Sequence, residues 1–426
     1  MKKVLVVTYY WPPAGGPGVQ RWLKFVKYLR DFNIEPIVYI PKNPSYPTID
    51  ESLVAEIPLE ITILKQPIKE PYKLAGLLSK KYSGNMSKGI IQQASRQTFI
   101  EKLLLFIRGN LFIPDARKTW VKPSVKFLRK YINANDIDTI ITTGPPHSMH
   151  LIGLQLQQQL KLTWLADFRD PWTTIGYHSK LKLLRFARLK HKRLEKKVLQ
   201  SADQIIVTSP TTKLEFESIT KRPIAVITNG YDVNSVNEIQ LDTKFTLAHI
   251  GTLLSERNPE VLWQVISDIV SGDKEFASQF QLNLVGTVSK EILKSLDAYG
   301  LSQFLNLVGY VSHEAAIRYQ KQSQILLLIE IDAEHTKCII PGKLFEYMVS
   351  SRPILAFGPR AADMAQIITS TNTGAYFEYA EYDSLKTKLL EYFNDYKQHK
   401  LKSRPIGLKQ YNRKALTGQL ALLIDK

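Results

Sequence analysis

Short apolar runs alternate with longer amphipathic stretches along the whole chain, and the pattern starts twice. Residues 3–10, 36–40, 61–64, 139–143, 162–168, 204–208 and 224–228 read as strands. Between the first two lies a helix over 19–33, with Trp22, Phe25, Val26 and Leu29 on one face. A second series follows at 245–250, 281–285, 305–308, 325–329 and 353–357, with a helix starting near Pro259. Strands that alternate with helices need crossover connections, so both series imply an α/β fold with parallel sheets covered on both faces. The uninterrupted apolar run 325–329 suits a strand buried on both sides. A single core stops growing at roughly 250–300 residues, so 426 residues read as two domains. The polar, aperiodic stretch 233–244 divides them. The expected layout is a first Rossmann-like domain over 1–235, a second over 236–402, and a closing helix over 403–426. Residues 70–118 show no clean strand and read as a helical insertion in the first domain, amphipathic over 99–112.

Charge is distributed unevenly. The formal net charge is +18, and residues 1–235 hold all of that excess, with 36 basic against 18 acidic side chains. The remainder carries 21 of each. This asymmetry points the first half toward an anionic partner: nucleic acid, an acidic membrane face or a phosphorylated substrate. The densest stretch holds Lys180, Lys182, Arg185, Arg188, Lys190, Lys192, Arg193, Lys196 and Lys197 against Glu195 alone. Leu181, Leu184, Phe186, Leu194 and Val198 supply its apolar positions. Such a helix either lies on an acidic membrane surface or presents a solvated basic face.

Other classes are excluded early. An apolar content of 44% with 23% charged residues does not describe a disordered chain. One cysteine, Cys338, allows no internal disulfide and no cysteine zinc cluster, and fits a reducing compartment. The apolar stretch after Lys2 and Lys3 ends at Trp11-Pro12-Pro13, too soon for a secretory leader. No run approaches the roughly 18 apolar residues of a membrane-spanning helix.

The chemistry-bearing residues gather at strand ends. Pro12 to Gly18 follows the first strand, where glycines let backbone N–H groups approach an anion or simply make a tight strand–helix turn. Gly144-Pro145-Pro146-His147-Ser148 and Asp167-Phe168-Arg169-Asp170-Pro171-Trp172 end two further strands of the same domain. His147, Arg169 and Asp170 there either orient a hydroxyl or hold a phosphate, or else serve as a helix cap and an internal ion pair. In the second domain Gly251 and Thr252 end a strand ahead of Arg257. Pro341-Gly342-Lys343 opens a helix that carries Glu346 one turn on, an anion site or a solvated pair.

Taken together, these residues resemble the GT4-type family of glycosyltransferases with the GT-B fold. The resemblance implies two doubly wound Rossmann-like domains facing across a cleft. It implies retaining transfer from a nucleotide-diphosphate sugar, with no cofactor and no required metal. The first domain would bind the acceptor and the second the donor. Gly15 and Gly16 match the loop that approaches the donor phosphates. Lys343 and Arg257 match basic residues that neutralise the leaving diphosphate, and Glu346 matches the second glutamate of an E-x7-E motif. Arg169 or Asp170 stands where many members place a histidine of the catalytic site. The first glutamate is replaced by Cys338, which leaves the contact to the donor sugar open between Glu334 and backbone amides. Many members carry a basic residue in place of Thr252.

Members of this kind often build surface polysaccharides on lipid carriers. The expected partners are therefore a nucleotide sugar, a glycan or lipid-linked acceptor and an anionic membrane surface, without nucleic acid. The expected location is cytoplasmic, peripheral to the inner face of the cell membrane, with Lys182, Arg185, Arg188, Lys192 and Arg193 toward that surface. Competing readings are a non-catalytic nucleotide-sugar-binding protein, an epimerase or phosphorylase on the same fold, and a nucleic-acid-binding protein. The last lacks any zinc-finger or RNP-type signature.

Overall fold

The computed structural model describes residues 1–70, 99–179, 181–232 and 239–425. The chain divides into two compact units, Met1–Asn229 with Arg413–Lys426, and Gly230–Asn412.

The first unit is built on β1 (Lys2–Val7), β2 (Ile34–Pro41), β3 (Thr62–Gln66), β4 (Thr139–Gly144), β5 (Thr163–Phe168), β6 (Gln204–Val207) and β7 (Ile224–Val226). They form one parallel sheet in the order β3-β2-β1-β4-β5-β6-β7. Successive side chains of a strand point to opposite faces. Leu5 and Val7 accordingly join one buried cluster with Trp120, Leu128, Met149, Trp164 and Phe216. Val4 and Val6 join another with Trp22, Phe25, Leu29, Leu416 and Leu420. The sheet is thus covered on both sides, which is why its strands read as continuous apolar runs.

The helix Pro17–Leu29 buries Trp22, Phe25, Val26 and Leu29, the face expected from their spacing. A short 3-10 turn follows, and Asn33 ends it in the left-handed region. The C-terminal helix is Arg413–Ile424 and packs on Pro17–Leu29. It begins ten residues later than the expected 403, because Pro405 and the left-handed Gly407 interrupt the preceding stretch. Of the expected insertion over 70–118, residues 71–98 lie outside the described residues, and Phe99–Leu111 is a helix.

The second unit contains β8 (Phe245–Ile250), β9 (Phe280–Val285), β10 (Leu305–Gly309), β11 (Ile325–Ile329), β12 (Ile354–Phe357) and β13 (Gly374–Phe377). Their parallel order is β10-β9-β8-β11-β12-β13. Counted from its own first strand this is 3-2-1-4-5-6, the dinucleotide-binding order, and the first unit repeats it with one strand more. β13 escaped the sequence reading. It is four residues long, lies at the edge and starts with glycine. A Cβ at Gly374 would run into the Ile354 carbonyl, so the glycine that hides the strand is what lets it pair. Among the described residues no helix is long and apolar enough to cross a membrane.

One buried group ties the first unit together. Asp167, at the end of β5, is fully buried and accepts three hydrogen bonds, from Arg21 Nη2, Trp22 Nε1 and Thr143 Oγ1, each at 2.8 Å. Arg21 also donates to the Thr228 carbonyl at 2.8 Å. Burial pushes the Asp167 carboxyl up, but the Arg21 charge and these bonds outweigh it and hold the group below its ordinary value. A carboxylate with a depressed folded pKa stabilises the fold above its unfolded value and loses that contribution as pH falls through the folded one. Asp167→Asn leaves Arg21 buried without its counter-charge and should cost about 3–5 kcal/mol in urea unfolding at pH 7. The gap to wild type should close in acid, as pH falls below the ordinary carboxylate value and through the depressed one at which folded Asp167 takes up its proton.

Candidate functional site

In open α/β sheets ligands bind beyond the carboxyl ends of the strands, where the strand order reverses. In the first unit that point lies between β1 and β4, in the second between β8 and β11.

At the first switch point the loop after β1 is pinned by Gly15 N–H donating to the Thr48 carbonyl at 3.0 Å and Asp50 N–H to the Pro13 carbonyl at 2.8 Å. Gly15 is close-packed, with a notional Cβ 3.2 Å from that of Asp50. Gly16 is the open position, at φ 112 with nothing within 4 Å of a Cβ. Gly18 has a different role, because the Arg169 guanidinium lies where its Cβ would be. Arg169 is held by β4: its backbone N–H donates to the Gly144 carbonyl at 2.9 Å, and its side chain donates to the Gly144 and Pro145 carbonyls. The structure therefore brings Arg169, the end of β4 and the glycine loop together. Asp170 follows, its carboxyl pushed up by burial and by neighbouring Asp167, against the pull of Arg169.

His147 is buried and lies flat on Trp172, with centroids 4.8 Å apart. Burial, then the neighbouring His150 and Arg169, hold its imidazole well below the usual range, so it is neutral. It borders a cavity of about 40 Å3 shared with Trp172, His178 and His191. The cap of the following helix comes from Asp115, which accepts from Ser148 N–H at 2.9 Å and Ser148 Oγ at 2.6 Å. Neither His147 nor Ser148 plays that part. Asp167, which the sequence groups with this edge, is wholly engaged by Arg21, Trp22 and Thr143.

At the second switch point Lys343 Nζ donates to the Ile250 carbonyl at 2.9 Å, and a Cβ on Gly251 would lie 2.8 Å from that nitrogen. Thr252 follows in the exposed loop. Burial, then the nearby Arg257, bring the Lys343 ammonium down to about 8. Arg257 pairs with Glu330, donating from Nη2 at 3.0 and 3.1 Å to the two carboxylate oxygens. Glu330 is buried directly after β11, and its position has a sequence signal: an acidic residue ending an apolar run at a strand's carboxyl end. The sequence reading passed over it. Glu346 accepts from Gln320 Nε2 at 2.9 Å. Glu334 is exposed and pairs with Lys337 at 2.6 Å, a surface i,i+3 contact.

The basic stretch forms the helix Arg185–Ser201, preceded by Lys182. Lys182, Arg185, Arg188, Lys192 and Arg193 are all exposed. The inner face is Ala187, His191, Glu195, Val198 and Leu199. Glu195, the lone acid, is buried and accepts from Thr173 N–H at 3.0 Å and Thr173 Oγ1 at 2.6 Å. Apolar side chains stand outside among the cations: Leu184, Phe186 and Leu189, and on Phe99–Leu111 also Leu103, Phe106 and Leu111. Buried Asn110 joins the two helices, accepting from Leu184 N–H at 2.8 Å. Of the expected apolar positions, Leu181 and Val198 face inward while Leu184 and Phe186 face water.

Residues 93–235 match the family model Glycosyltransferase Family 4. No curated protein sequence matches the chain. Solved structures resemble it over nearly its full length. A variant of TarM from S. aureus, in complex with Fondaparinux, alpha-GlcNAc-glycerol and UDP, is 12% identical with a TM-score of 0.60, covering 100% of each chain. Sucrose-phosphate synthase from Thermosynechococcus elongatus is 15% identical with a TM-score of 0.60, covering 99% of this chain and 98% of its own. The lipopolysaccharide outer core galactosyltransferase WaaB is 14% identical with a TM-score of 0.59, covering 100% of each. The fold is that of GT-B glycosyltransferases, and residues 93–235 are similar to the Family 4 glycosyltransferase model.

The Gly18–Arg169 contact gives a direct test. Gly18→Ala should displace the guanidinium and destabilise the protein by about 1–3 kcal/mol, the usual cost of overpacking. In an Arg169→Ala background the same substitution should be close to neutral, and urea midpoints of the four proteins give the coupling.

Proposed function

We propose that this protein transfers a sugar from a nucleoside-diphosphate donor to a hydroxyl acceptor, with retention of configuration at the anomeric carbon. The observation that carries this reading is the pair of cations at the second switch point, Lys343 against the Gly251 loop and Arg257 oriented by buried Glu330. A departing nucleoside diphosphate concentrates negative charge on its phosphates. Cations held in place in a water-poor site stabilise that charge without reorganising as it develops. The bond from the anomeric carbon to the diphosphate oxygen breaks. A bond to the acceptor oxygen forms on the same face, and the acceptor's proton leaves with the diphosphate. Glu346 is the candidate for the donor ribose. The first unit would supply the acceptor end, with Gly16, Arg169 and Asp170 at its switch point. No cofactor or metal enters this scheme.

The acceptor is proposed to be a lipid-linked or growing surface glycan, met at the cytoplasmic face of the membrane. Support comes from the exposed rows of the two joined helices, where Phe106, Leu111, Leu184, Phe186 and Leu189 stand beside Arg185, Arg188, Lys192 and Arg193. Apolar side chains that enter the headgroup region, ringed by cations worth about 1 kcal/mol each near an acidic leaflet, suit a peripheral attachment. The same surface would give nucleic acid only non-specific, salt-sensitive affinity and would leave the apolar side chains without a role.

Four measurements test the reading. A panel of nucleotide sugars should raise the melting temperature selectively, and the stabilising donor should be turned over; binding without turnover sinks the catalytic claim. Lys343→Ala should lower kcat by about 10²–10³ with little change in acceptor KM. Because the Lys343 ammonium is charged below about 8, nucleoside diphosphate affinity should weaken as pH rises through that value, and Lys343→Arg should remove this dependence. The protein should co-sediment with anionic vesicles in a salt-sensitive way and not with neutral ones. Phe186→Ser with Leu189→Ser should weaken that binding severalfold without altering the fold, since both residues are exposed.

A further inference from the structure

The loop after β5 is anchored twice, with Asp170 between the anchors. Before Asp170, Arg169 is fixed to the sheet: its backbone N–H donates to the Gly144 carbonyl at 2.9 Å, and Thr208 Oγ1 donates to its carbonyl at 2.9 Å. After Asp170, Trp172 and Thr173 are fixed to the inner face of the helix Arg185–Ser201. Trp172 Nε1 donates to His191 Nδ1 at 3.1 Å, and Thr173 gives its N–H and its hydroxyl to Glu195 at 3.0 and 2.6 Å. Burial brings the His191 imidazole down to about 4, so at neutral pH its Nδ1 carries no proton and accepts. The Asp170 carboxyl group makes no hydrogen bond among the described residues, so its place is set by the backbone on either side.

The two anchors differ in kind. The first is a sheet of seven strands, and the second is one face of a single helix. At about 3.6 residues per turn, Phe186, Leu189 and Arg193 come out on the side opposite His191 and Glu195. All three are exposed. The residues that hold the loop and those offered to an acidic surface therefore stand back to back, roughly one helix diameter of 10–12 Å apart. Trp172, His178 and His191 also border the cavity of about 40 Å3, which leaves this anchor room to shift that a filled core would deny it.

We infer that Glu195 and His191 are positioning residues, through which the seating of this helix on an anionic surface sets the place of Asp170. The inference rests on the surface reading of the helix and on the placing of Asp170 at the acceptor end. A displaced helix carries Trp172 and Thr173 with it while Arg169 stays on the sheet, so Asp170 moves between them. A reacting arrangement misplaced by about 1 Å loses roughly 10²-fold in rate, so a small movement is enough.

The experiment labels the protein with fluorotryptophan and follows Trp172 by fluorine NMR, its resonance assigned with Trp172→Phe. Acidic lipid nanodiscs should shift or narrow the Trp172 resonance of wild type, and neutral nanodiscs should not. Glu195→Ala alters neither the indole bond to His191 nor the outer face. It should bind acidic nanodiscs as wild type does, yet displace the Trp172 resonance from the start and lose the response, with Trp22 and Trp263 in place. Glu195→Gln keeps an oxygen for the Thr173 N–H and should behave as wild type. Thr173→Val removes the hydroxyl from the other side of the contact and should reproduce the displacement in smaller measure, even where Glu195→Ala fails to fold. Turnover of the stabilising nucleotide sugar should fall about tenfold or more in Glu195→Ala, with UDP, GDP and ADP affinities unchanged. A wild type that binds acidic nanodiscs with Trp172 unmoved overturns the inference and leaves the surface reading standing. Glu195→Gln as displaced as Glu195→Ala overturns it too, because the bonds to Thr173 are then not what holds the loop. So does undiminished turnover in a Glu195→Ala protein whose Trp172 has moved. A wild type that binds no acidic nanodisc overturns the surface reading itself, and the inference with it.

Discussion

The buried Asp167–Arg21 pair is the contact on which the first unit depends. It joins the end of β5 to the helix after β1, with Thr143 of β4 on the same carboxylate and Thr228 on the same guanidinium. Those elements flank the point where the strand order reverses. A buried carboxylate is tolerable only with its charge compensated and its lone pairs occupied, and Arg21, Trp22 and Thr143 do both. Its two neighbours are thereby placed. Phe168 goes into the core, and Arg169 turns onto Gly18 and the carbonyls of β4. The guanidinium packed on Gly18 thus follows in sequence directly from a carboxylate wholly engaged within the fold.

The second unit solves a similar problem with a different distribution of charge. Its switch point carries two cations, Lys343 and Arg257, and one buried anion, Glu330. Glu330 orients Arg257 through two carboxylate oxygens, and Lys343 leans on a carbonyl. Burial, and then the charge of Arg257, outweigh the pull of Glu330 and Glu346, so the ammonium loses part of its hold on the proton. A bound polyanion would restore it. Positive φ at Gly251, Gly286 and Gly309 keeps the floor of this region free of side chains, a condition that only glycine meets without strain.

The helix Arg185–Ser201 shows why a basic run says little by itself. Its cations face water, as composition alone would require. The informative residues are Phe186 and Leu189, exposed on the same helix, and Phe106 and Leu111, delivered by a helix some eighty residues earlier in the chain. The sequence offers Leu181 and Val198 together with Leu184 and Phe186 as the apolar positions of this stretch, whereas the fold sends the first two inward and the last two outward. A burial pattern on a helix that packs on two sides, with His191 and Glu195 on the inner face, has no simple 3.6-residue signature.

Twelve of the thirteen strands were legible from apolar runs, because strands covered on both faces need no alternation to be recognised. So were the strand-end motifs, since glycine, proline and charge at the end of such a run have few structural explanations. The exception, β13, is short, peripheral and opened by a glycine that looks like a turn until Ile354 is seen against it. What only the tertiary structure decided is which charges have partners. Asp167 and Asp170 lie three residues apart, yet one is wholly engaged in the fold and the other is not. Glu330 and Glu334 are four apart, one buried on Arg257 and one on the surface. Residue type and local spacing are identical before and after folding. Burial and counter-charge come from segments distant in sequence, and these set the cost of a charge and hence its function.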